Sequence, residues 1–478
     1  EKSNELFDEF SIDIILKHLE PIFHDEKLKF CGQNIKYDAL VLSRYNINLS
    51  GLLFDTMIAE HLLHPDKNSY KLDFLSLDYL SYKMEPIEHL IGKGSNQISM
   101  AEVPLKKIAF YAIEDADIAL QIALKQKPLI EKEDLIYPFK NIEMPLLPVL
   151  IRMEQNGVFL DLEHLKKLSK NVATKVDVLV SKIYSISGHE FNINSPQQLA
   201  VVLFDELGLK PIRKRSTAVE VLEVLKNHHP LPQYILDYRH LTKLKNPYID
   251  ALPNHVNLKT NRVHTSLNQT IATTGRLSST KPNFQNIPIR TDIGREIRKA
   301  FTTQNPDHLM MAADYSQIEL RIMADFSKEP ALIDAFEKGL DIHTRTASLV
   351  FSISESEVSQ NQRRIAKVVN FGIMYGAGPF RMSQELGISI AEARDLIDNY
   401  FKSYPGIKSY MDKTLSQAHD KGYVKTKLGR KRNMYQLNSS NHNLVKADER
   451  AAINMPIQGT AADLIKLAMI NIDNIMRE

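Results

Sequence analysis

The first third of the chain alternates short apolar runs with helix-like patterns. Apolar runs at 28–31 and 39–42 are followed by a helical repeat at 56–63. Alternating strand-like and helix-like segments over 1–128 predict a compact α/β domain. The charged stretch 131–134 and the prolines that follow it are typical of a domain boundary.

The pattern becomes strongly helical from about 160 to 250. Within this region Ser195 precedes Pro196, and this pair predicts a helix N-cap with proline in the first turn. The later segments are predicted as strands and loops over 256–325, mostly helices over 326–449, and one or two helices over 450–478 that begin near Asp448 or Glu449.

Composition narrows the protein class. Of the 478 residues, 43% are hydrophobic and 25% are charged, which is typical of a folded globular chain with several domains. The single cysteine, Cys31, rules out an intrachain disulfide and a cysteine cluster for zinc, and it favours an intracellular setting. No apolar run is long enough to span a membrane. We therefore expect a cytoplasmic protein without a membrane partner.

The net charge of +2 is too small for the chain as a whole to attract nucleic acid, so such binding must rest on local clusters. One cluster between Lys421 and Met434 contains six cations and no acid. Others lie at 213–215 and 239–245. Together they predict contact with a phosphate backbone, although each one alone could be solvated surface. The six cations are Lys421, Lys425, Lys427, Arg430, Lys431 and Arg432.

One carboxylate follows an apolar run. Residues 309–313 are apolar and lead into Asp314, which predicts a buried strand with an acid at its end. Such an acid can hold magnesium at the edge of a cleft. A capping or ion-pairing role for Asp314 is the alternative.

A second group has helical spacing. Arg363, Lys367, Phe371 and Tyr375 are four residues apart, so a helix would place them on one face. Two cations followed by two aromatics suit a triphosphate followed by a base. Gly372 inside this helix predicts that another group approaches its backbone closely. An ordinary amphipathic helix remains the alternative.

Longer motifs around these residues resemble a known family. The segments DYSQIELR at 314–321 and RRIAKVVNFGIMYG at 363–376 are similar to motifs A and B of bacterial family A DNA polymerases. TTGRLSSTKPNFQNIP at 273–288 and ERAAINMPIQGTAAD at 449–463 resemble two further stretches of that family. The resemblance covers nearly the whole chain. It implies template-directed DNA synthesis from deoxynucleoside triphosphates on primer-template DNA, as part of replication and repair. It also implies that the protein is a monomer.

The resemblance assigns a role to each matching position at the nucleotide. Asp314 and the Tyr315 carbonyl would bind two Mg²⁺ ions, Arg363 and Lys367 would contact the triphosphate, and Lys367 would assist the leaving pyrophosphate. The remaining nucleotide contacts would be His343 at the phosphates, Phe371 at the sugar, Tyr375 near the templating base, and Glu319 as the steric gate against a 2′-hydroxyl. The residues implied to read the DNA minor groove are Arg276, Gln317, Arg450, Asn454 and Gln458, with Gln317 also close to the nucleotide.

The N-terminal region resembles the family's 3′-to-5′ proofreading exonuclease. Its motifs are GQNIKYD at 32–38 and YAIEDAD at 111–117. The resemblance implies that Asp38 and Asp115 bind metal and that Tyr111 orients the attacking water. Because the family's first exonuclease motif would precede Glu1, the resemblance implies that this activity is impaired here.

The implied architecture is α+β and multidomain. A ribonuclease H-like exonuclease domain over 1–128 would precede a right-hand polymerase domain over 129–478. Within the latter, the thumb would span about 160–255, the palm about 256–325 and 450–478, and the fingers about 326–449.

One departure from the family matters. The family places a His-Asp-Glu sequence with a second metal-binding carboxylate downstream of the last helix, and no such sequence follows 449–463 in these 478 residues. The His-Asp-Glu at 24–26 lies in the N-terminal region and does not match that position. We therefore expect this chain to bind DNA but to polymerise poorly, with the last part of the palm lying beyond Glu478. The rival readings are a single-subunit RNA polymerase, against which Glu319 argues, and an exonuclease or DNA-binding protein with a polymerase remnant.

Overall fold

The computed structural model describes residues 12–25, 27–289 and 291–478. The α-helices are α1 (Ile12–His24), α2 (Ile35–Ser43), α3 (Thr56–Leu63), α4 (Leu72–Leu80), α5 (Ile87–Ile91), α6 (Leu105–Lys132), α7 (Met144–Asn156), α8 (Leu162–Ser187), α9 (Pro196–Val201), α10 (Val219–Leu225), α11 (Pro230–Leu244), α12 (Asp292–Lys299), α13 (Ile318–Ser327), α14 (Pro330–Glu337), α15 (Ile342–Phe351), α16 (Gln360–Met374), α17 (Pro379–Leu386), α18 (Ile390–Ser403), α19 (Pro405–Lys421) and α20 (His442–Arg477). The strands are β1 (Phe30–Gly32), β2 (Leu52–Asp55), β3 (Val158–Phe159), β4 (Val256–Asn257), β5 (Arg262–Val263), β6 (Ser266–Asn268), β7 (Ser278–Thr280), β8 (Tyr423–Lys425) and β9 (Lys431–Asn433).

The chain divides into two compact units. The first contains the described residues of Glu1–Arg152, Asn268–Ser278 and Asp314–Glu478, and the second contains Met153–Leu267 and the described residues of Ser279–Ala313. The segment Asn268–Ser278 of the first unit is short, but it contains residues of the candidate site described below.

The N-terminal part of the first unit is a small α/β arrangement. Strands β1 and β2 are parallel, with Cys31 opposite Phe54, and α2 connects them. Asp55 ends β2 and caps α3, because its carboxylate accepts the backbone N–H groups of Met57 and Ile58. Apolar side chains of α2, β2, α3 and α6 form one buried cluster beneath the strands. The predicted α/β pattern is confirmed at β1 and α3, whereas the apolar run at 39–42 belongs to helix α2.

The rest of the first unit is mainly helical. A large apolar cluster joins α13 to α19 with the middle of α20, and Leu320, Val369 and Tyr400 are among its fully buried members. Helix α20 begins at His442, several residues before the predicted start, because the Asn441 side chain accepts the Asn443 N–H and caps it there. Strands β8 and β9 form an antiparallel hairpin before this helix.

The second unit contains the predicted helical region. Helices α8, α10 and α11 pack around a cluster that includes Leu222 and Ile235. The predicted cap of α9 is confirmed, since the Ser195 side chain accepts the Gln198 N–H and Pro196 is the first helical residue. A three-stranded antiparallel sheet has the order β3-β5-β4, with Val263 opposite both Val158 and Val256.

The predicted strand before Asp314 is wrong for the structure as described. Residues 308–315 have no regular secondary structure, and Leu309 and Met311 are 93% and 87% exposed. A strand is stable only when neighbouring strands pair with its backbone and cover one of its faces. None of the described strands pairs with this segment.

Of the helices in the described parts of the chain, none combines the length and apolar character needed to cross a membrane.

Candidate nucleotide and nucleic-acid site

Helix α16 carries the predicted cation and aromatic stripe. Ser359 caps the helix by accepting the Gln362 N–H, and the helix extends to Met374, so Tyr375 lies at its C-cap. The Phe371 and Tyr375 rings are stacked at 6.3 Å with an interplanar angle of 27°. Lys367 is exposed one turn before Phe371. The predicted face is confirmed over one continuous helix.

The group that approaches Gly372 is a protein side chain. A Cβ atom at Gly372 would lie 2.6 Å from the Met382 Cε atom of α17. The prediction of a close neighbour is confirmed, and the neighbour belongs to the packing between α16 and α17.

Glu319 lies at the start of α13 and is held from two sides. One carboxylate oxygen forms an ion pair with Arg276, and the other accepts the Tyr375 hydroxyl at 2.6 Å. Burial and this hydrogen bond raise the pKa of Tyr375 to about 12, while Arg276 and a hydrogen bond with Gln458 oppose the increase. The phenol therefore remains a donor at neutral pH, and two predicted site residues, Arg276 and Tyr375, meet at the carboxylate of a third.

Arg363 has a partner that the sequence did not indicate. Its guanidinium binds both carboxylate oxygens of Asp341, at 2.7 and 3.2 Å. Burial would raise the pKa of Asp341, but the hydrogen bond from Arg363 and other donors lower it to about 2. Asp341 also caps α15 by accepting the Thr344 N–H. The available signal was the residue type, because aspartate is a frequent N-cap in a region predicted to be mostly helical.

His343 is buried rather than open to solvent. Its Nδ1 atom lies 3.2 Å from the amide nitrogen of Asn370, and its ring lies 5.9 Å from Phe371. Burial lowers the pKa of His343, with Arg363 and Lys367 adding to the effect and Asp341 opposing it. The structure therefore brings His343 to the predicted face as a neutral, oriented ring.

Two predicted DNA-reading side chains contain buried acceptors without partners. These are the Gln317 Oε1 and Asn454 Oδ1 atoms, which accept no hydrogen bond from the described residues. Buried acceptors in native proteins nearly always have a donor, so each of these carbonyls suits a ligand donor. Arg450 packs its side chain against Gly376, where a Cβ atom would lie 3.0 Å from the Arg450 Cγ atom.

Asp314 is exposed and has no ion pair or hydrogen bond among the described residues, and the adjacent Tyr315 is 49% exposed. The described part of the chain contains no group of three or more His, Cys, Asp or Glu residues that could hold a metal. Asp314 therefore provides a single hard oxygen donor, the ligand type that suits magnesium, and the described residues do not complete a cage around it.

The predicted exonuclease residues share one cavity. Asp38 of α2 and Tyr111 and Asp115 of α6 line a space of about 1460 Å³, and Tyr111 hydrogen-bonds to Asp115. Burial raises the pKa of both carboxyls, and the charges of Glu114 and Asp38 raise that of Asp115 further. A divalent cation would relieve this repulsion, so the pair fits a metal by its donor chemistry.

The predicted backbone-tracking cluster at 421–434 is largely paired with acids of the protein, so its contact with a phosphate backbone stays a prediction. Five of its six cations bind acids of the protein: Lys425 binds Asp134, Lys427 binds Asp325, Lys431 binds Glu133, Arg432 binds Asp66, and Arg430 binds Glu143 and Asp463. The acids are distant in sequence, so the apparent excess of positive charge exists only in the linear pattern.

The cation groups of the second unit are partly neutralised. Arg215 binds Asp205, and Lys245 binds Asp250. Arg213 and Lys243 form no ion pair with the described residues. Contact of this region with a phosphate backbone therefore stays a prediction.

Comparisons with known proteins agree with these motifs. The family model for DNA polymerase family A matches residues 162–478, and that for a 3′-5′ exonuclease matches residues 2–131. DNA polymerase I of Pseudomonas aeruginosa is 42% identical over 476 residues, covering 98% of this chain and 52% of the relative. DNA polymerase I of Chloroflexus aurantiacus is 46% identical over 474 residues, covering 97% and 50%. The chain thus spans about half the length of these curated relatives.

A solved structure is also similar. The POL domain of Pol1 from M. smegmatis, in complex with DNA primer-template and dNTP, superposes with a TM-score of 0.89 at 36% identity. The match covers 98% of this chain and 79% of that chain.

Proposed function

The chain belongs to DNA polymerase family A, and from that premise we propose that it forms the main part of an enzyme that adds deoxynucleotides to a primer 3′ end on a DNA template. The observation that carries the proposal is the surface formed by α16 with Glu319. On this surface, cations and stacked aromatic rings lie beside the Glu319 carboxylate, which Arg276 and Tyr375 hold in place. We propose that this activity serves bacterial DNA replication and repair, and that the enzyme works in the cytoplasm as a monomer.

The protein groups divide the work of phosphoryl transfer. Asp314 and the Tyr315 carbonyl would hold magnesium, which when bound neutralises phosphate charge and acidifies the primer 3′-hydroxyl. Lys367 and Arg363 would bind the triphosphate, and the Lys367 ammonium would stabilise negative charge on the departing pyrophosphate. Arg363 must divide its donors between Asp341 and the phosphates, since both carboxylate oxygens of Asp341 already accept from it.

The nucleotide sugar would be selected beside Phe371 and Glu319. A carboxylate fixed by both Arg276 and Tyr375 cannot turn away to admit a 2′-hydroxyl. The unpartnered carbonyls of Gln317 and Asn454 would accept from the exocyclic amine of guanine, the only donor that a base pair presents in the minor groove. Arg450 and Gln458 would extend this contact along the primer and template.

We further propose a 3′-to-5′ exonuclease site in the cavity of Asp38, Tyr111 and Asp115. The two carboxyls would hold divalent metal, which activates water when bound. Burial and the neighbouring Asp115 raise the pKa of Tyr111 to about 12, so its phenol stays protonated and can donate to Asp115 while orienting the water. The domain division proposed is 1–128 for the exonuclease and 129–478 for the polymerase.

A test of the polymerase site compares Lys367→Ala with Arg364→Ala. Both changes remove an exposed cation from α16, but Arg364 hydrogen-bonds to Asn361 away from the stripe. The test uses the chain extended through a His-Asp-Glu-bearing segment. We expect Lys367→Ala to lower the rate of nucleotide addition by about a hundredfold or more, with less than about a threefold change in primer-template affinity. Arg364→Ala should change neither. Equal loss of rate and affinity in Lys367→Ala would refute the assigned role.

The exonuclease site has its own matched pair. Asp115→Asn should abolish magnesium-dependent removal of 3′ nucleotides, whereas Asp117→Asn should not, because Asp117 accepts the Gln121 amide on the exposed side of α6. Both variants are measured in a chain that carries the first exonuclease motif. Equal activities in the two variants would contradict the assignment.

A further inference from the structure

A buried cluster of four charged side chains has no part in the functions proposed above. Glu143, Arg430, Asp463 and Lys466 are each no more than 2% exposed. Arg430 binds Glu143 and also Asp463, the latter at 2.8 Å, and Lys466 binds Glu143 at 2.6 Å. These four residues are called the ionic cluster below. A cluster of this kind is costly to bury and is stable only when its geometry is fixed.

The ionic cluster is electrostatically balanced but geometrically demanding. Burial would raise the pKa of Glu143, but the charges of Lys466 and Arg430 lower it to about 2. Arg430 uses its Nε and Nη2 atoms on the two acids, and its Nη1 atom has no partner among the described residues. These bonds to two acids fix the plane of the guanidinium.

The Arg430 guanidinium lies against residues 269–276, a segment called the strap below. A Cβ atom at Gly275 would lie 2.5 Å from Arg430 Nε and 2.6 Å from its Cζ, and Gly275 has a φ of +82°. Only glycine permits this approach and this backbone conformation. The strap therefore rests directly on the Arg430 guanidinium.

Two other contacts hold the strap along its length. The Gln269 amide donates to the backbone carbonyl and the carboxylate of Glu143, at 3.1 and 2.5 Å. The buried His61 ring of α3 hydrogen-bonds to the Ala272 backbone. The strap thus touches the ionic cluster at both ends and the exonuclease-like region in the middle.

The strap connects the surroundings of the two candidate sites. Thr270, Ile271 and Thr273 line the cavity that contains Asp38 and Asp115. The last residue of the strap, Arg276, forms the ion pair with Glu319. A displacement of the strap would therefore move Arg276 away from that carboxylate.

We propose that the ionic cluster, together with His61, positions the strap so that Arg276 fixes the Glu319 carboxylate and thereby sets the discrimination between deoxyribose and ribose. The proposal rests on the proposed polymerase function. It makes Arg430 and His61 positioning residues for nucleotide selection, although neither touches the nucleotide and His61 lies in the exonuclease-like region.

The test compares two substitutions of glycines that both have positive φ. Gly275→Ala places a methyl group against Arg430, whereas Gly387→Ala, at a φ of +69°, has no atom within 4 Å of its Cβ position. Hydrogen–deuterium exchange of the strap peptide is measured in the 478-residue chain. We expect exchange about tenfold faster in Gly275→Ala and unchanged in Gly387→Ala, because only the former separates the strap from the ionic cluster. Equal exchange in the two variants would overturn the proposal.

A second variant adds no atoms to the strap. His61→Leu removes the hydrogen bond to Ala272 and leaves no unsatisfied ring nitrogen, so it covers the case in which Gly275→Ala does not fold. The strap peptide should again exchange several times faster, with the rest of α3 unchanged. Unchanged strap exchange in His61→Leu would remove the exonuclease-like region from the positioning role.

The functional readout is the ratio of deoxynucleotide to ribonucleotide incorporation in the extended chain. We expect this ratio to fall about tenfold in Gly275→Ala, as for the loss of one hydrogen bond to a charged group, and to be unchanged in Gly387→Ala. Partial unfolding lowers both rates equally and leaves the ratio constant. A constant ratio in Gly275→Ala overturns the proposal. Absence of primer extension by the unsubstituted chain contradicts the proposed function, whereas the exchange measurement still decides whether the cluster holds the strap.

Discussion

Replacing Glu319 by alanine and by glutamine separates two properties of the gate that are combined in the native side chain. Glu319 is 8% exposed, and its two oxygens accept from Arg276 and Tyr375. Glu319→Ala removes both the volume and the acceptors. Glu319→Gln keeps the volume and one acceptor, but it places an amide N–H₂ group toward one of the two donors.

The structure sets the expected size of each effect. A pocket that excludes a small added group discriminates by about 1–3 kcal/mol, or roughly 10–200-fold. Glu319→Ala should therefore reduce the preference for deoxynucleotides by about 10–200-fold. Glu319→Gln should reduce it by less than about fivefold, while the loss of one hydrogen bond to a charged group lowers stability by about 1.5–3 kcal/mol.

The assay is single-turnover incorporation of a deoxynucleotide and of the matching ribonucleotide by the extended chain, with thermal unfolding as the stability control. Two results would refute the reasoning. Equal loss of discrimination in both variants would mean that charge rather than volume excludes the 2′-hydroxyl. Unchanged discrimination in Glu319→Ala would remove this residue from the gate.

Three further changes test other parts of the site and core. Asp341→Asn keeps the side-chain oxygen that caps α15 but removes a negative charge beside the triphosphate. We therefore expect the KM for nucleotide to fall about threefold. A rise in this KM would show that Asp341 mainly orients Arg363. Burial, with the nearby Arg430, lowers the pKa of His61 from 6.5 to about 3, so its contribution to stability is complete above pH 6.5 and lost toward pH 3. Chemical denaturation should show that the native chain loses stability as the pH falls from 6.5 to 3, and that His61→Leu reduces this loss by on the order of 4 kcal/mol. An unchanged pH dependence in His61→Leu would contradict a neutral, buried His61 ring. The Glu143 carboxyl has its pKa lowered to about 2, so the native chain should lose stability as the pH falls from 4.5 to 2, and Glu143→Gln should remove this change. The same substitution should lower the melting temperature at pH 7, because it leaves the Lys466 ammonium unpaired. An unchanged melting temperature would contradict this reasoning.

Local sequence patterns were sufficient for the nucleotide-facing helix. The four-residue spacing from Arg363 to Tyr375 predicts one helical face because the contacts that define a helix lie within a few residues. The same reasoning predicts the Ser195 cap and the approach to Gly372, both of which the structure contains.

Features that depend on distant residues could not be predicted in the same way. The run before Asp314 has strand-like composition, but a strand requires partners, and none of the described strands pairs with it. The cations at 421–434 look unpaired in the sequence because their acids are remote. Arg432 and its partner Asp66 are 366 positions apart, and Lys425 and Asp134 are 291 apart. No local pattern indicates such pairs.

The central claim is that this chain carries the nucleotide-adding surface of a family A DNA polymerase, and primer extension tests it most directly. The 478-residue chain is compared with the same chain extended through a His-Asp-Glu-bearing segment, using magnesium, deoxynucleotides and a labelled primer-template. We predict that the extended chain elongates the primer, that this activity is lost in Asp314→Asn, and that the 478-residue chain binds the same DNA with little elongation. Failure of the extended chain to elongate a primer that it binds would contradict the claim and favour a DNA-binding remnant.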